Sequence, residues 1–244
     1  MSAKERLDVL LVKRGLAESR DWAQRLIRAG QVRVDGQVVA QPAKRFGSEA
    51  DITIAQPPRY VSRGGYKLQA ALERFALTPT GWVCADVGSS TGGFTDCLLQ
   101  HGAARVYALD VGSGQLHWRL RRDARVVVME GVNARYLDAL PELVELAVVD
   151  VSFISLTLVL PNVFRWVKQP TIGGVIALIK PQFEAGREQV GKGGIVRDPA
   201  VHQAVLAHVT TFCARLGWPA QGVIESPILG ADGNREFLAW FKPA

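Results

Sequence analysis

The sequence predicts an α/β protein in two parts, a small N-terminal α+β domain and then a Rossmann-like domain with a mostly parallel seven-stranded sheet. Three observations lead there. An apolar strand from Trp82 to Val87 runs into the turn Gly88-Ser89-Ser90-Thr91-Gly92-Gly93, and that turn opens a helix. Open α/β sheets hold adenosine-type ligands on such a turn. Strand and helix patterns then alternate toward the C-terminus, as a parallel sheet requires. Charge divides the chain as well: residues 1–67 carry 13 Lys and Arg against 7 Asp and Glu, and residues 68–244 carry 16 against 16. The whole net charge of +6 sits in the first quarter, which marks an appended polyanion-binding module.

The 244 residues suffice for one α/β domain plus a small second module. No apolar run nears the ~20 residues of a membrane span. Met1-Ser2-Ala3-Lys4-Glu5-Arg6 lacks the apolar core of a signal peptide. Cys84, Cys97 and Cys213 are isolated, with no CxxC pair. That pattern argues for a reducing compartment and against a disulfide framework or a metal site. A cytoplasmic monomer is the expectation.

In the first module, Leu7, Leu10 and Leu11 fall at helical spacing between Arg6 and Arg14, and Gly15 follows as a stop. Ser19 is placed to cap a second helix, Arg20 to Ala29, whose apolar face is Trp22, Ala23, Leu26 and Ile27. Val32 and Val34 alternate with polar residues, and Asp35-Gly36 is a type I′ hairpin signal before Gln37-Val38-Val39. Asp51 to Ile54 adds a strand. The module is expected over residues 1–55, with a proline-stiffened linker at 56–60 and the second domain over 61–244.

The second domain opens on Ser62-Arg63-Gly64-Gly65-Tyr66-Lys67-Leu68, which enters a helix burying Leu68, Ala71, Leu72 and Phe75. Lys67 falls in its first turn, where a cation opposes the helix dipole and a decorative lysine is disfavoured. The helix after Gly93 runs to His101. Gly88 lets the chain turn from the strand, and Gly92 and Gly93 are expected to clear space for a ligand at the backbone. Strand two, Arg105 to Leu109, ends in Asp110, an acidic group suited to a ribose diol. Strand three, Val126 to Met129, leads to Glu130 and Asn133, candidates for the adenine side. Strand four, Leu146 to Val149, ends in Asp150, and strand five, Gly174 to Ile179, ends in Lys180. The helix between them, Ser155 to Val167, contains Pro161 and is expected to kink or break. Residues 184–194 are polar and glycine-rich, either a lid or an ordinary surface loop. Asp198-Pro199 starts a helix to Leu216, and Gly222 to Ser226 and Arg235 to Phe241 are the closing strands, after a turn at 230–235. Gly88, Asp110, Asp150 and Lys180 thus line the carboxyl edge of the sheet, where such folds bind ligands. The turn and Asp110 alone leave NAD and S-adenosylmethionine (SAM) both open.

Two resemblances narrow this. Arg6-Leu7-Asp8, Gly15-Leu16-Ala17-Glu18-Ser19-Arg20 and Ala23 to Gly36 resemble the S4 RNA-binding domain over residues 4–55. That implies RNA contacts from Arg6, Arg20, Arg25, Arg28 and Lys44, and Arg63 is counted with them. Over nearly the full chain, the sequence resembles the TlyA family of S4-plus-FtsJ-type rRNA methyltransferases, historically called haemolysins. The motifs are the Ser62-to-Leu68 stretch, Gly88 to Thr95, Asp110-Val111-Gly112-Ser113-Gly114-Gln115-Leu116, Asp150-Val151-Ser152-Phe153-Ile154-Ser155-Leu156, Lys180-Pro181-Gln182-Phe183-Glu184 and Gly233-Asn234-Arg235-Glu236.

The resemblance implies a Lys-Asp-Lys-Glu tetrad, matched by Lys67, Asp150, Lys180 and Glu236, for ribose 2′-O-methylation. It implies SAM as donor, with Asp86, Gly88, Ser90, Gly92, Gly93, Phe94, Asp110, Glu130, Asn133 and Asp150 around it. The partner implied is ribosomal RNA or a ribosomal subunit, with a cytidine 2′-hydroxyl as acceptor. Members that also modify the small subunit tend to carry extra terminal residues, so the end at Ala244 favours the large subunit. The chemistry is consistent. A 2′-hydroxyl is a weak nucleophile, so catalysis needs in-line placement and help in removing one proton. Lys180 is the candidate base or oxyanion stabiliser. Lys67 nearby would disfavour its charged form, and Asp150 and Glu236 would favour it. The other readings are an inactive RNA-binding or ribosome-assembly factor, an NAD-dependent oxidoreductase and a pore-forming haemolysin. The spacing of the glycines disfavours the second, and the lack of an apolar span disfavours the third.

Overall fold

The computed structural model describes residues 4–55, 58–230 and 233–243. Gln56 and Pro57 of the expected linker, Ala231 and Asp232 of the 230–235 turn, and the terminal residues 1–3 and 244 lie outside the described residues. The chain forms two compact units that divide between Arg59 and Tyr60.

The first unit runs β1 (Glu5–Arg6), α1 (Leu7–Lys13), α2 (Arg20–Arg28), β2 (Val32–Val34), β3 (Gln37–Val38), β4 (Arg45–Phe46) and β5 (Ile52–Ile54). Ser19 caps α2 by accepting from the Trp22 N–H at 3.2 Å. Asp35 and Gly36 take φ of 50° and 79°, the paired positive values of a type I′ turn. They join β2 to β3, and β5 pairs with the other edge of β2. Leu7, Leu11, Leu26, Ile27 and Val32 form the buried core of this unit. One pairing has no counterpart in the sequence pattern: β1 lies antiparallel to β4, with Glu5 opposite Phe46. Two-residue strands are too short to show a period.

The second unit contains α3 (Gly64–Arg74), β6 (Val83–Val87), α4 (Gly93–Gln100), β7 (Arg105–Asp110), α5 (Trp118–Arg121), β8 (Val126–Glu130), β9 (Leu146–Val149), α6 (Leu160–Trp166), β10 (Gly174–Ile179), α7 (Pro181–Glu184), α8 (Pro199–Arg215), β11 (Ala220–Glu225) and β12 (Phe237–Phe241). The sheet order is β11-β12-β10-β9-β6-β7-β8. β8, β7, β6, β9 and β10 are parallel, and β12 runs antiparallel between β10 and β11. This is the mostly parallel seven-stranded sheet expected from the alternating pattern. β9 and β10 read as unbroken apolar runs because both faces are covered. Ala147, Val149, Val175, Ala177 and Ile179 enter the core on one face, and Leu146, Val148, Ile176 and Leu178 enter the core on the other.

The chain winds outward from β6 to β8, then crosses back to start β9 on the other side of β6. The strand order reverses between β6 and β9, which is where such sheets open a ligand crevice. The expected helix at 155–167 is split into a 3₁₀ turn, Leu156–Leu158, and α6, whose first turn holds Pro161. A proline is tolerated there because its missing N–H has no helical partner to lose. The 184–194 stretch has order of its own, a 3₁₀ turn at Arg187–Gln189 and a bridge from Gly191 to Ile195. Among the described residues, no helix is long and apolar enough to cross a membrane.

Candidate active site

The carboxyl edge of the sheet is built from close backbone approaches. Gly88 ends β6 with φ of 83°, and a Cβ there would collide with the Asp150 carbonyl at the end of β9. Only glycine allows both the turn and this approach. The N–H groups of Gly88 and Ser89 both donate to Leu109 O, at 2.8 and 2.9 Å. Asp110 closes the turn from the β7 side. Its Oδ2 accepts from Ser90 N and its Oδ1 from Gly112 N, both at 2.7 Å. These residues wall a cavity of about 570 Å³ lined by Gly88, Ser90, Asp110, Gln115, Asn133 and Asp150, among others.

Other expected cofactor residues do not reach this wall. Gly92 takes φ of 98°, and a Cβ there would strike Leu116 and Leu120. A Cβ on Gly93 would strike Ser62 Oγ and the Gly65 backbone. The space these two glycines clear is therefore filled by protein, not left for a ligand, which corrects the expectation for them. Phe94 is buried in the core beside α3. Glu130 accepts from Gly114 N at 2.8 Å and pairs with Arg121. Asp86 is fully buried beneath the turn, where its Oδ2 accepts from Thr95 N at 2.8 Å and Thr95 Oγ1 at 2.6 Å. Among the described residues its Oδ1 has no hydrogen-bond partner. Burial, with the charges of Asp150 and Asp110 adding to it, pushes the Asp86 carboxyl up to about 7.

The four tetrad candidates form two ion pairs. Lys67, on the first turn of α3, meets Glu236 Oε2 at 2.5 Å, and both side chains are buried. Glu236 precedes β12 rather than opening it. Lys180, at the end of β10, meets Asp150 Oδ1 at 2.6 Å and donates to Ser152 Oγ at 2.7 Å. A second cavity, about 670 Å³, is lined by Arg135, Phe153, Ile154, Ser155, Leu158, Phe183 and Arg187. It shares Phe153 and Ile154 with the first. The Phe153 and Phe183 rings lie 4.9 Å apart, and Lys180 Nζ lies 5.9 Å from the Phe183 ring.

Ser152, Phe153 and Asn234 were not singled out from the sequence, although all three stand inside the motifs quoted above. Asn234 is buried, accepts from Val196 N and donates to Gly194 O, both at 2.9 Å. It thereby pins the end of the glycine-rich loop to the turn before Glu236. Periodicity cannot find such residues, because their partners are loop backbone far away in sequence.

In the first unit, Asp8 is buried and gathers three donors. Arg6 binds it bidentately at 2.9 and 3.0 Å, Gln24 donates at 2.9 Å and Arg20 at 3.3 Å. Hydrogen bonding from Arg6 leads in holding the Asp8 carboxyl well below the usual carboxylate range. Arg6 and Arg20 remain partly open to water. The other expected RNA contacts are exposed. Arg25 pairs with Asp21, Arg28 donates to Gln24 at 3.4 Å, and Lys44 lies 5.6 Å from the Phe46 ring. In the second unit, Arg63 is exposed and donates to Leu229 O at 2.6 Å.

Family profiles agree with this division. Residues 60–243 match the FtsJ-like methyltransferases and residues 5–52 match the S4 domain. TlyA of Mycobacterium tuberculosis, named a 16S/23S rRNA (cytidine-2′-O)-methyltransferase, is 45% identical over 99% of this chain and 91% of its own. The chain belongs to the TlyA family. YqxC of Bacillus subtilis, named as a candidate rRNA methyltransferase, is 52% identical over 97% of this chain and 85% of its own. A solved structure from Streptococcus thermophilus, described as a candidate hemolysin, superposes with a TM-score of 0.77 at 45% identity, covering 100% of this chain and 90% of the other. Within the TlyA family, then, the S4 part of this chain is the more basic unit, with 11 Lys and Arg against 7 Asp and Glu over residues 1–59 and 18 against 16 over residues 60–244, and the FtsJ-like part is the unit with the two lysine–carboxylate pairs.

Proposed function

We propose that this protein transfers the methyl group of SAM to a cytidine 2′-hydroxyl of ribosomal RNA. The observation that carries the reading is the Lys180–Asp150–Ser152 cluster, whose Asp150 and Ser152 line the first cavity next to Phe153 and Ile154, the two residues shared with the second. The donor set of the first cavity fits SAM. Asp110 offers two carboxylate oxygens to a ribose diol, and Asn133 offers an amide at the adenine side. When bound, SAM supplies an electrophilic methyl group on sulfur.

The chain's own residues supply position and proton control. The second cavity takes the acceptor nucleoside, with the Phe153 and Phe183 rings as stacking surfaces and Arg135 and Arg187 as phosphate partners. Lys180 lines neither cavity, but it donates to Ser152, which lines the first, and its Nζ lies 5.9 Å from the ring of Phe183, which lines the second. It is the group placed to take the 2′-hydroxyl proton or to shield the developing oxyanion. Asp150 and Ser152 fix its direction. Lys67 and Glu236 form a second, drier pair that supports the acceptor side. The S4 unit grips RNA through Arg6, Arg20, Arg25, Arg28 and Lys44, and Arg63 adds a cation to the second unit. Phosphate contacts of this kind give affinity and salt dependence rather than sequence reading.

The named TlyA relatives of M. tuberculosis and Campylobacter jejuni share 23S rRNA as a substrate, so the large-subunit RNA is the first place to look. The protein is incubated with SAM and with free rRNA, isolated subunits and whole ribosomes, and 2′-O-methyl positions are mapped. Methylation at one cytidine is expected. No transfer to any of these substrates, with RNA still bound, would establish an inactive RNA-binding factor instead.

A further inference from the structure

β9 and β10 deliver Asp150 and Lys180 side by side, and the segments after them stay joined. Lys180 reaches Asp150 and Ser152. Phe183 meets Phe153 at 4.9 Å. Glu184, at the end of α7, then accepts from Leu156 N at 2.8 Å with one carboxylate oxygen and from Ser155 Oγ at 2.7 Å with the other. Ser155 Oγ in turn accepts from Thr157 N at 3.2 Å. Residues 150, 152, 153, 155 and 156 of one segment thus face 180, 183 and 184 of the other along the whole joint.

Phe153 shows why this joint matters. It adopts φ of 63°, a left-handed conformation that L side chains other than Asn and Asp rarely take. Its ring is 90% exposed, so burial does not hold it there. The conformation has to be imposed by the chain on either side. On one side Ser152 is held by Lys180, and on the other Ser155 and Leu156 are held by Glu184.

We propose that Glu184 is a positioning residue for methyl transfer. Its carboxylate clasps the segment after Asp150 to the segment after Lys180, so that Lys180, Ser152 and Phe153 keep their relation to the acceptor oxygen. The inference rests on the acceptor site proposed above. Glu184 does not line either cavity, and its effect passes through the residues it holds.

The test uses full-length Glu184→Ala, Glu184→Gln and Ser155→Ala proteins, compared with wild type in three measurements. Hydrogen exchange at the 151–157 amides should speed up in Glu184→Ala, with the Leu156 amide most affected. SAM affinity by calorimetry should change less than kcat, because the Gly88 turn and Asp110 lie outside the clasped segments although residues 151–154 also line the first cavity. The kcat for rRNA methylation should fall by up to about 10²-fold, the effect of an ångström-scale misplacement, with a smaller change in KM. Glu184→Gln should recover most of the rate, since an amide both accepts and donates at the two positions. Ser155→Ala, which removes one half of the clasp, should fall between and carries the test if Glu184→Ala does not fold. Wild-type kcat in Glu184→Ala, or unchanged exchange at 151–157, overturns the proposal. So does a Glu184→Gln protein as slow as Glu184→Ala. The exchange measurement needs no acceptor, so a wild type that transfers no methyl sinks the function reading while the clasp is still decided.

Discussion

Cations at the candidate sites of both units face carboxylates, but the two sites expose them to water differently. In the S4 unit, Asp8 is buried while the guanidiniums of Arg6 and Arg20 that it holds stay 38% and 58% exposed. In the FtsJ-like unit, the side chains of Lys67 and Lys180 are each only 11% exposed. A solvated, pre-aimed guanidinium suits the capture of a phosphate, which brings its own charge and releases counterions. A partly desolvated lysine beside one carboxylate is held in place by a few named neighbours, as a proton-transfer group requires. The first arrangement should respond strongly to salt and the second weakly, since screening acts mostly on exposed charges.

The largest break in that comparison comes from Lys180→Ala. Methyl transfer should fall by about 10²–10⁴-fold, the usual worth of a proton-transfer group, while SAM and RNA binding survive. Single-turnover transfer from labelled SAM measures this, and a fully active variant would remove Lys180 from the mechanism. Next, replacing Arg6 and Arg20 together should weaken RNA binding and reduce its salt slope by roughly one for each phosphate that is no longer neutralised. A titration at several ionic strengths reads both. An unchanged slope would mean that these arginines serve only Asp8.

Two of the buried carboxylates, Asp86 and Asp8, sharpen the comparison through pH. Asp86 has a folded-state value of about 7 against an ordinary 3.8. Between those values the folded chain keeps a proton that the unfolded chain has released. Its contribution to stability is therefore greatest below pH 3.8 and declines as pH rises to about 7, by up to about 1.4 kcal/mol per unit. Asp86→Asn should flatten denaturation stability across that window, and an unchanged pH profile would place the titration elsewhere. Asp8, held below the ordinary range by Arg6, works in the opposite sense. Its contribution is fully present above pH 3.8 and is lost as pH falls through its folded value. Asp8→Asn should cost about 1–2 kcal/mol near neutrality, discounted for its partly exposed partners. Urea unfolding measures it, and a stability equal to wild type would show the network to be neutral.

The fold was legible wherever burial imposes a pattern. β9 and β10 are apolar throughout because both faces are covered, and Ser19, Gly36 and Asp198 mark element ends by their own chemistry. The β1–β4 pair was not legible, because two residues carry no period. At the site, the strand-end positions of Asp110, Asp150 and Lys180 could be counted off the sequence. The partition of the tetrad into Lys67–Glu236 and Lys180–Asp150 could not, since it depends on how α3 and the turn before β12 meet. Asp8, Glu184 and Asn234 were invisible for a related reason. A polar residue of this kind is recognised by its partners, and most of theirs lie on other segments. Gly92 and Gly93 were read in the wrong direction, because a missing Cβ does not say which neighbour needs the room.

Gly93 has one more consequence. Its Cα faces Ser62 Oγ and the Gly65 backbone, and Gly65 in turn leaves no room for a Cβ against the Tyr60 ring. At Gly93 the first turns of α3 and α4 therefore come within main-chain reach of each other, with the Ser62 hydroxyl and the Phe94 ring beside the contact. The turn that opens α4 and the lysine on α3 cannot drift apart or slide independently. The donor and acceptor sites proposed above are thereby gauged against one joint, set largely by main-chain contact.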